Sequence, residues 1–130
     1  MEGSTPKKWV LVVDDEPGIR EMVQWYFSQR NLNVAVAENG ADAVKKIKER
    51  DFSLVITDIT MPQMDGLKLL ETLKEKTPQT TVIIATGFGT VETAVYAMKK
   101  GAYDFILKPF DMGQLAKVLE GALALNGKQV

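Results

Sequence analysis

Residues 10–18 read VLVVDDEPG, so that four apolar residues run directly into three consecutive carboxylates. The apolar and mostly β-branched run predicts a strand that is buried on both faces, as in the parallel sheets of α/β proteins. Asp14, Asp15 and Glu16 follow it, although like charges at this spacing repel one another and each resists leaving water. A cluster of negative charge at the carboxyl end of a core strand is therefore not explained by packing alone.

Five strand-like runs alternate with five helical patterns along the 130 residues. Strict alternation with short connections predicts a parallel sheet that is covered by helices on both faces. A chain of this length accommodates one small doubly wound domain rather than a barrel. The predicted strands are Trp9–Val13, Asn33–Ala37, Leu54–Thr57, Thr81–Ala85 and Asp104–Leu107.

The helical patterns carry apolar stripes at the spacing of a helix. The fourth pattern is predicted to bury Val91, Ala94, Val95 and Met98, and steps of 100° then point Tyr96 roughly to the opposite side. The other patterns are predicted to turn inward the apolar residues Ile19, Met22, Val23, Tyr26, Phe27, Val44, Ile47, Leu67, Leu70, Leu73, Leu115, Val118, Leu119 and Leu123.

The composition excludes several classes of function. With 16 basic and 17 acidic residues, the chain offers no reason to expect binding to nucleic acid or to an anionic membrane. It contains no cysteine and no histidine, which excludes disulfides, thiolate zinc sites and histidine general bases. No apolar run approaches the roughly 20 residues of a membrane span, and residues 1–8 lack the apolar core of a signal peptide. We expect a cytoplasmic protein.

Polar side chains stand where the predicted strands end. The Asp14–Asp15 pair follows the first strand, Asp58 the third, Thr86 the fourth and Lys108 the fifth. Each has an ordinary structural interpretation, since an Asp pair can form a turn or a helix cap, Asp58 a turn, and Lys108 an exposed edge. In open α/β sheets, however, ligands bind beyond the carboxyl ends of the strands, so their coincidence at one edge favours a shared site.

Clustered carboxylates are tolerable when a divalent cation lies among them, and oxygen-only ligands favour a hard ion such as Mg²⁺. The cation also makes an acidic pocket attractive to a phosphoryl group. In the absence of histidine and cysteine, a carboxylate is the group that can accept it, as in aspartyl phosphates. Such a transfer depends on positioning and charge neutralisation, which the Lys108 ammonium and the Thr86 hydroxyl can supply.

The chain resembles the receiver domain of bacterial two-component response regulators over residues 8–126, with tails at 1–7 and 127–130. The matching stretches are VLVVDDEPGIR, LVITDITMPQMDG, VIIATG and GAYDFILKPF. The resemblance implies an α/β fold with a single doubly wound, five-stranded parallel sheet in the flavodoxin-like order 2-1-3-4-5 and five helices on both faces. The stretch TVETAVYAMKKGAYDFILKPF is most similar to the corresponding sequence in receivers of NtrC-type regulators.

The resemblance also implies a role for each rim residue. Asp58 becomes the phosphoacceptor and a metal ligand, Asp15 a direct ligand of Mg²⁺ (or Mn²⁺), and Asp14 a ligand mainly through water, while Thr60 lends a backbone carbonyl. The switch and phosphoryl-binding residues become Thr86, Phe105 and Lys108. A sensor histidine kinase would dock on Gly18, Ile19, Met22, Pro109 and Phe110. The family also has a cis bond before Pro109.

The implied function is a phosphorylation-activated signalling switch rather than an enzyme, apart from its own Mg²⁺-dependent phosphorylation and slow dephosphorylation. The signal would leave through the surface of the fourth helix, fifth strand and fifth helix, with Tyr96 as a possible contact in a homodimer. Nucleic acid would be reached only through an output domain. The chain is either a stand-alone receiver or part of a longer regulator.

Three alternatives remain at this point. A flavodoxin-like FMN carrier would need hydroxyls and amides in the first loop, where this chain has carboxylates. A phosphatase usually carries a second acid two residues after its nucleophile, where this chain has Thr60. A pseudo-receiver, which is a pure interaction module, would lack one of the key residues, and none is missing here. Glu16 either caps the first helix, where a carboxylate suits the dipole, or ligates metal.

Overall fold

The computed structural model describes residues 8–59, 66–87 and 91–127, which form an alternating α/β domain. Four of the predicted strands have the bounds expected from the sequence, and β4 extends one residue beyond its predicted end, to Thr86. The strands are β1 (Trp9–Val13), β2 (Asn33–Ala37), β3 (Leu54–Thr57), β4 (Thr81–Thr86) and β5 (Asp104–Leu107), and the helices are α1 (Pro17–Ser28), α2 (Gly40–Glu49), α3 (Gly66–Lys76), α4 (Val91–Lys99) and α5 (Met112–Gly127).

All strand pairs are parallel, and the sheet has the expected order β2-β1-β3-β4-β5. The strand order reverses at β1, which lies between β2 and β3. This reversal opens a crevice at the carboxyl ends of β1 and β3, because the loops that follow them turn to opposite faces of the sheet. The register pairs Val13 with Thr57, so the residues that follow, Asp14 and Asp58, begin their loops side by side.

Alternate residues of β1 enter two separate cores, as expected for a strand buried on both faces. Val10 and Val12 pack with residues of α1 and α5, whereas Leu11 and Val13 pack with residues of α2, α3 and α4. All four side chains are at most 1% exposed. Two covered faces leave only the ends of the sheet for a site.

The predicted core stripe of α4 is wrong. Val91 is 81% exposed, Val95 46% and Met98 45%, whereas the small Ala97 is fully buried. The apolar residues do share one side of the helix, but a nine-residue helix at the edge of the sheet docks through the side that allows the closest approach. Tyr96 is exposed, as predicted, together with Val91, Val95 and Met98, whereas Ala94 is partly buried.

Within the described ranges, no helix is both long and apolar enough to cross a lipid bilayer.

Candidate functional site

Lys108 lies at the centre of the rim site, where its ammonium contacts three carboxylates. The Nζ atom lies 2.9 Å from Asp14 Oδ2, 2.9 Å from Asp58 Oδ2 and 2.6 Å from Glu16 Oε1. These partners come from the segments that follow β1 and β3, and Lys108 itself follows β5. The structure therefore gathers three carboxylates of the predicted rim cluster, Asp14, Glu16 and Asp58, around Lys108.

Backbone hydrogen bonds extend three of the parallel pairings by one residue and hold the site residues in place. The Asp14 N–H donates to the Ala37 carbonyl over 3.0 Å, and the Asp58 N–H donates to the Val13 carbonyl over 3.1 Å. On the other side of the site, the Lys108 N–H donates to the Thr86 carbonyl over 2.9 Å. The rigid sheet thus positions the three charged side chains.

Burial shapes the electrostatics of this cluster, since Asp14 is 1% exposed and Asp58 is 5% exposed. Burial raises the pKa of the Asp14 carboxyl, although hydrogen bonds from Lys108 and from the Glu16 backbone oppose the rise. Burial also lowers the pKa of Lys108, but its hydrogen bonds to Asp14, Glu16 and Asp58 outweigh this, and the pKa lies above its ordinary value. The lysine is therefore cationic at neutral pH.

The acidic residues are close enough together to surround one cation. One carboxylate oxygen from each of Asp14, Asp15, Glu16 and Asp58 lies within 4.8 Å of the others. Opposite ligands of Mg²⁺ are roughly 4 Å apart, because each Mg–O distance is about 2.0–2.1 Å. The donor set contains only oxygen, so it fits a hard divalent cation. Thr60, the expected carbonyl ligand, lies outside the described residues.

Glu16 makes a contact that the sequence did not predict. It is the N-cap residue of α1, but its side chain makes no capping hydrogen bond. The carboxylate reaches instead to Lys108, 92 positions along the chain. A contact of this separation has no local sequence signal, whereas the position of Glu16 in the sequence indicates only capping or metal ligation.

Thr86 and Phe105 lie on the side of the site toward β5. Thr86 is fully buried at the end of β4. Phe105, one strand over, pairs with Ile84 in register and packs partly buried against the core that includes α4. The two side chains are thus placed on neighbouring strands, and Phe105 packs against the core to which α4 contributes Ala97.

A cavity of about 360 Å³ opens beside the cluster. Of the residues expected to meet a kinase, Gly18 and Pro109 are exposed, and Ile19 and Met22 are partly buried. Phe110 is only 8% exposed and belongs to a core, so it offers little surface. The Lys108–Pro109 peptide bond is cis, as the resemblance implied. The cavity is lined by Glu16, Ile19, Asp58, Gly87, Lys108, Pro109 and Phe110.

Two further residues support the site and were not assigned a role from the sequence. A Cβ atom at Gly66 would lie 1.9 Å from the Asp58 carbonyl oxygen, so the backbone of α3 can approach Asp58 only with glycine there. Arg20 donates from Nη1 to the Asp14 carbonyl over 2.8 Å. Both lie in quoted motifs, at the ends of MPQMDG and VLVVDDEPGIR, but their contacts depend on the tertiary structure.

The response regulator receiver domain model matches residues 10–120 of this chain. A putative response regulator described as NtrX-like from Rickettsia bellii is 44% identical over 115 residues, which cover 87% of this chain and 24% of that protein. The transcriptional regulatory protein ZraR of Salmonella typhimurium is 41% identical over 115 residues, which cover 88% of this chain and 26% of ZraR. The chain thus spans about a quarter of the length of these curated relatives.

Solved structures show the same fold. A CheY-like receiver domain from Methanospirillum hungatei superposes with a TM-score of 0.89 at 27% identity, covering 96% of this chain and all of that one. The receiver domain of NtrX from Brucella abortus gives a TM-score of 0.80 at 40% identity, covering 88% and 98% of the two chains. A beryllofluoride-activated NtrC4 receiver domain dimer gives 0.84 at 37% identity, covering 91% and 98%.

Proposed function

The chain belongs to the response regulator receiver domain family, and from this premise we propose that Asp58 accepts a phosphoryl group in a Mg²⁺-dependent reaction. Members of the family are phosphorylation-activated signalling domains rather than classical enzymes. The observation that carries the proposal is the convergence on Lys108, whose ammonium lies 2.9 Å from both buried aspartates. A pairing of this kind supplies the fixed positive charge that phosphoryl transfer needs.

Asp58 is the better nucleophile of the two buried aspartates because it lines the 360 Å³ cavity through which a donor can approach. Asp14 is held by the Glu16 N–H, which donates to its Oδ1 over 2.9 Å. In the proposed step, an Asp58 oxygen forms a bond to phosphorus while the bond to the donor breaks. The electron pair of that bond leaves with the donor, and the product is an aspartyl phosphate.

Asp14, Asp15, Asp58 and the Thr60 carbonyl would hold the Mg²⁺ ion. When bound, the ion supplies positive charge to the phosphoryl oxygens. Lys108 adds its ammonium from the other side, and its present bond to Asp58 Oδ2 can be exchanged for one to a phosphoryl oxygen. Thr86, at the end of β4, would donate its hydroxyl to another. Slow hydrolysis of the acyl phosphate would return the site to its starting state.

We place the docking surface for a histidine kinase around the mouth of this cavity. The accessible part of this surface is provided by Gly18, Ile19, Met22 and Pro109. Phe110 is only 8% exposed and belongs to the core against which Ile19 and Met22 pack. A phosphohistidine that enters here would meet Asp58 between Glu16 and Lys108, which line the same cavity.

The output surface is proposed to comprise α4, β5 and α5, and to pair with a second copy after phosphorylation. Val91, Val95 and Tyr96 on α4 and Leu107 at the end of β5 are all at least 43% exposed. Exposed apolar side chains that lie together on one part of a protein surface are typical of surfaces that bind another protein. Withdrawal of Thr86 toward the phosphoryl group and movement of Phe105 would reshape this surface, which shifts a pre-existing equilibrium. The dimer of the activated NtrC4 receiver supports the proposal.

The longer relatives include transcriptional regulators, and this chain covers about a quarter of their length, for example 26% of ZraR. We propose that any contact with DNA is made by an output domain of that kind and not by the receiver, whose net charge is −1. A net charge this close to zero gives no reason to expect the basic surface that phosphate contacts require.

The test is incubation with acetyl phosphate and Mg²⁺, followed by intact-protein mass spectrometry. The parent protein should gain one phosphoryl group, and Asp58→Asn, which keeps the shape but removes the nucleophile, should gain none. Asp15→Asn and EDTA should each suppress labelling strongly. Full labelling of Asp58→Asn would refute the assignment, steady turnover of acetyl phosphate would indicate a phosphatase, and an unmodified parent would indicate a pseudo-receiver.

A further inference from the structure

We infer that Arg20 is a positioning residue for the metal site, because its guanidinium fixes the peptide that leads into Asp15. This inference rests on the proposed function and concerns the affinity of the site for a divalent cation. Arg20 lies in the first turn of α1, and its side chain is 16% exposed. From there it reaches back over the segment that follows β1.

The guanidinium joins two neighbouring segments of the rim. Its Nη1 donates to the main-chain carbonyl of Asp14 over 2.8 Å, and its Nη2 lies 3.9 Å from Glu38 Oε1, just beyond the end of β2. The Glu38 side chain is 75% exposed, so that ion pair contributes little. The bond to the Asp14 carbonyl is therefore the significant contact of this side chain.

That carbonyl belongs to the peptide plane between Asp14 and Asp15. Other contacts hold the rest of Asp14, since its N–H donates to Ala37 and its carboxylate accepts from Glu16 and Lys108. Asp15 is exposed, and among the described residues its carboxylate has no hydrogen-bond or ion-pair partner. The orientation of the peptide plane thus sets where the Asp15 backbone, from which the carboxylate projects, lies before metal binds.

A purely electrostatic role for Arg20 predicts the opposite effect. A cationic guanidinium near the carboxylates repels a divalent cation, so removal of the charge alone would strengthen metal binding. Removal of a positioning contact weakens it, and loss of a partner that orients a ligand typically lowers metal affinity about 10–100-fold. The direction of the change in affinity therefore distinguishes the two roles.

The experiment is calorimetric titration of the unphosphorylated protein with MgCl2, using the parent, Arg20→Met and Arg20→Lys. Arg20→Met keeps the apolar stem but removes the donor and the charge, and should weaken Mg²⁺ binding about tenfold. Arg20→Lys keeps the charge and one donor and should recover part of the loss. Arg30→Met is the matched control, because Arg30 pairs with Glu120 on α5, away from the rim. This variant should bind Mg²⁺ with the affinity of the parent.

Thermal unfolding of each variant sets a titration temperature at which all are folded. If Arg20→Met does not fold, a loss of affinity in a folded Arg20→Lys supports the inference, and parental affinity in that variant overturns it. Arg20→Met that binds Mg²⁺ as tightly as the parent, or more tightly, would overturn the positioning role while leaving the proposed function intact. A parent that binds no Mg²⁺ would overturn the proposed metal site and this inference with it.

Discussion

The ammonium of Lys108 lies 2.9 Å from a carboxylate oxygen of Asp58, although the two residues are 50 positions apart in the chain. Their side chains are 11% and 7% exposed, so the pair is largely removed from water. The same lysine bonds the buried Asp14. In the absence of metal, the Lys108 ammonium is thus the cation that compensates the charge of both buried carboxylates, and the proposed reaction uses the same ammonium.

Lys108→Met should therefore be destabilised without metal, by about 3 kcal/mol, because loss of one partner leaves buried charge uncompensated. Urea unfolding in EDTA measures the effect. Lys46→Met is the control, since its ion pair with Asp42 is an i,i+4 surface pair that contributes only about 0.3–0.5 kcal/mol. Saturating Mg²⁺ should stabilise Lys108→Met more than the parent, because no ammonium competes for the carboxylates. Equal unfolding midpoints for Lys108→Met and the parent would contradict the prediction.

Asp14→Asn should stabilise the metal-free protein at neutral pH by about 0.5–2 kcal/mol. Burial raises the pKa of the Asp14 carboxyl above 3.8, so the folded state holds its proton more tightly than the unfolded state. The parent's stability from this group is fully present below the unfolded pKa and is lost as pH rises through the folded pKa. Denaturant melts in EDTA from pH 3.5 to 7 should show the advantage of Asp14→Asn opening as pH rises. A constant difference across this range would show that the titration of Asp14 is not the cause.

Gly66→Ala should destabilise the domain by more than 2 kcal/mol, since its Cβ would lie 1.9 Å from the backbone oxygen of Asp58. Backbone on both sides cannot yield as a side chain can, so the loop carrying Asp58 must shift. Gly18→Ala is a fair comparison, because a Cβ there meets nothing within 4 Å, and it should change stability by less than about 0.5 kcal/mol. Chemical denaturation of both variants measures the difference, and parental stability of Gly66→Ala would show that the close approach is not required.

Tyr96→Ala should weaken dimerisation of the beryllofluoride-activated domain more than tenfold, as truncation of a central interface tyrosine commonly costs about 2 kcal/mol. The Tyr96 hydroxyl also donates to Glu71 on α3 over 2.9 Å, so Tyr96→Ala removes both the ring that would contact a partner and this bond within the monomer. Tyr96→Phe separates the two roles, because it keeps the ring and loses only that bond. Sedimentation should show that Tyr96→Phe dimerises like the parent. A monomeric activated parent, or unchanged dimerisation of Tyr96→Ala, would place the output contact elsewhere.

The rim residues were predictable because each depends on a local pattern and on a rule of topology. Apolar β-branched runs such as 10–13 predict buried strands, and alternation with helices makes the sheet parallel, so all carboxyl ends share one edge. Asp14, Asp58 and Lys108 follow from these two facts alone. Their roles in phosphoryl transfer and metal binding remain predictions.

The docking side of α4 and the partner of Glu16 were decided only by the tertiary structure. Periodicity shows which residues share a side of a helix, but not which side meets the sheet, and Ala97 rather than Val95 is buried because a small residue allows close approach. The contact of Glu16 with Lys108 spans 92 positions. Such contacts arise only after β1 and β5 have been fixed in one sheet, since no local preference of the chain encodes a distance between its distant parts.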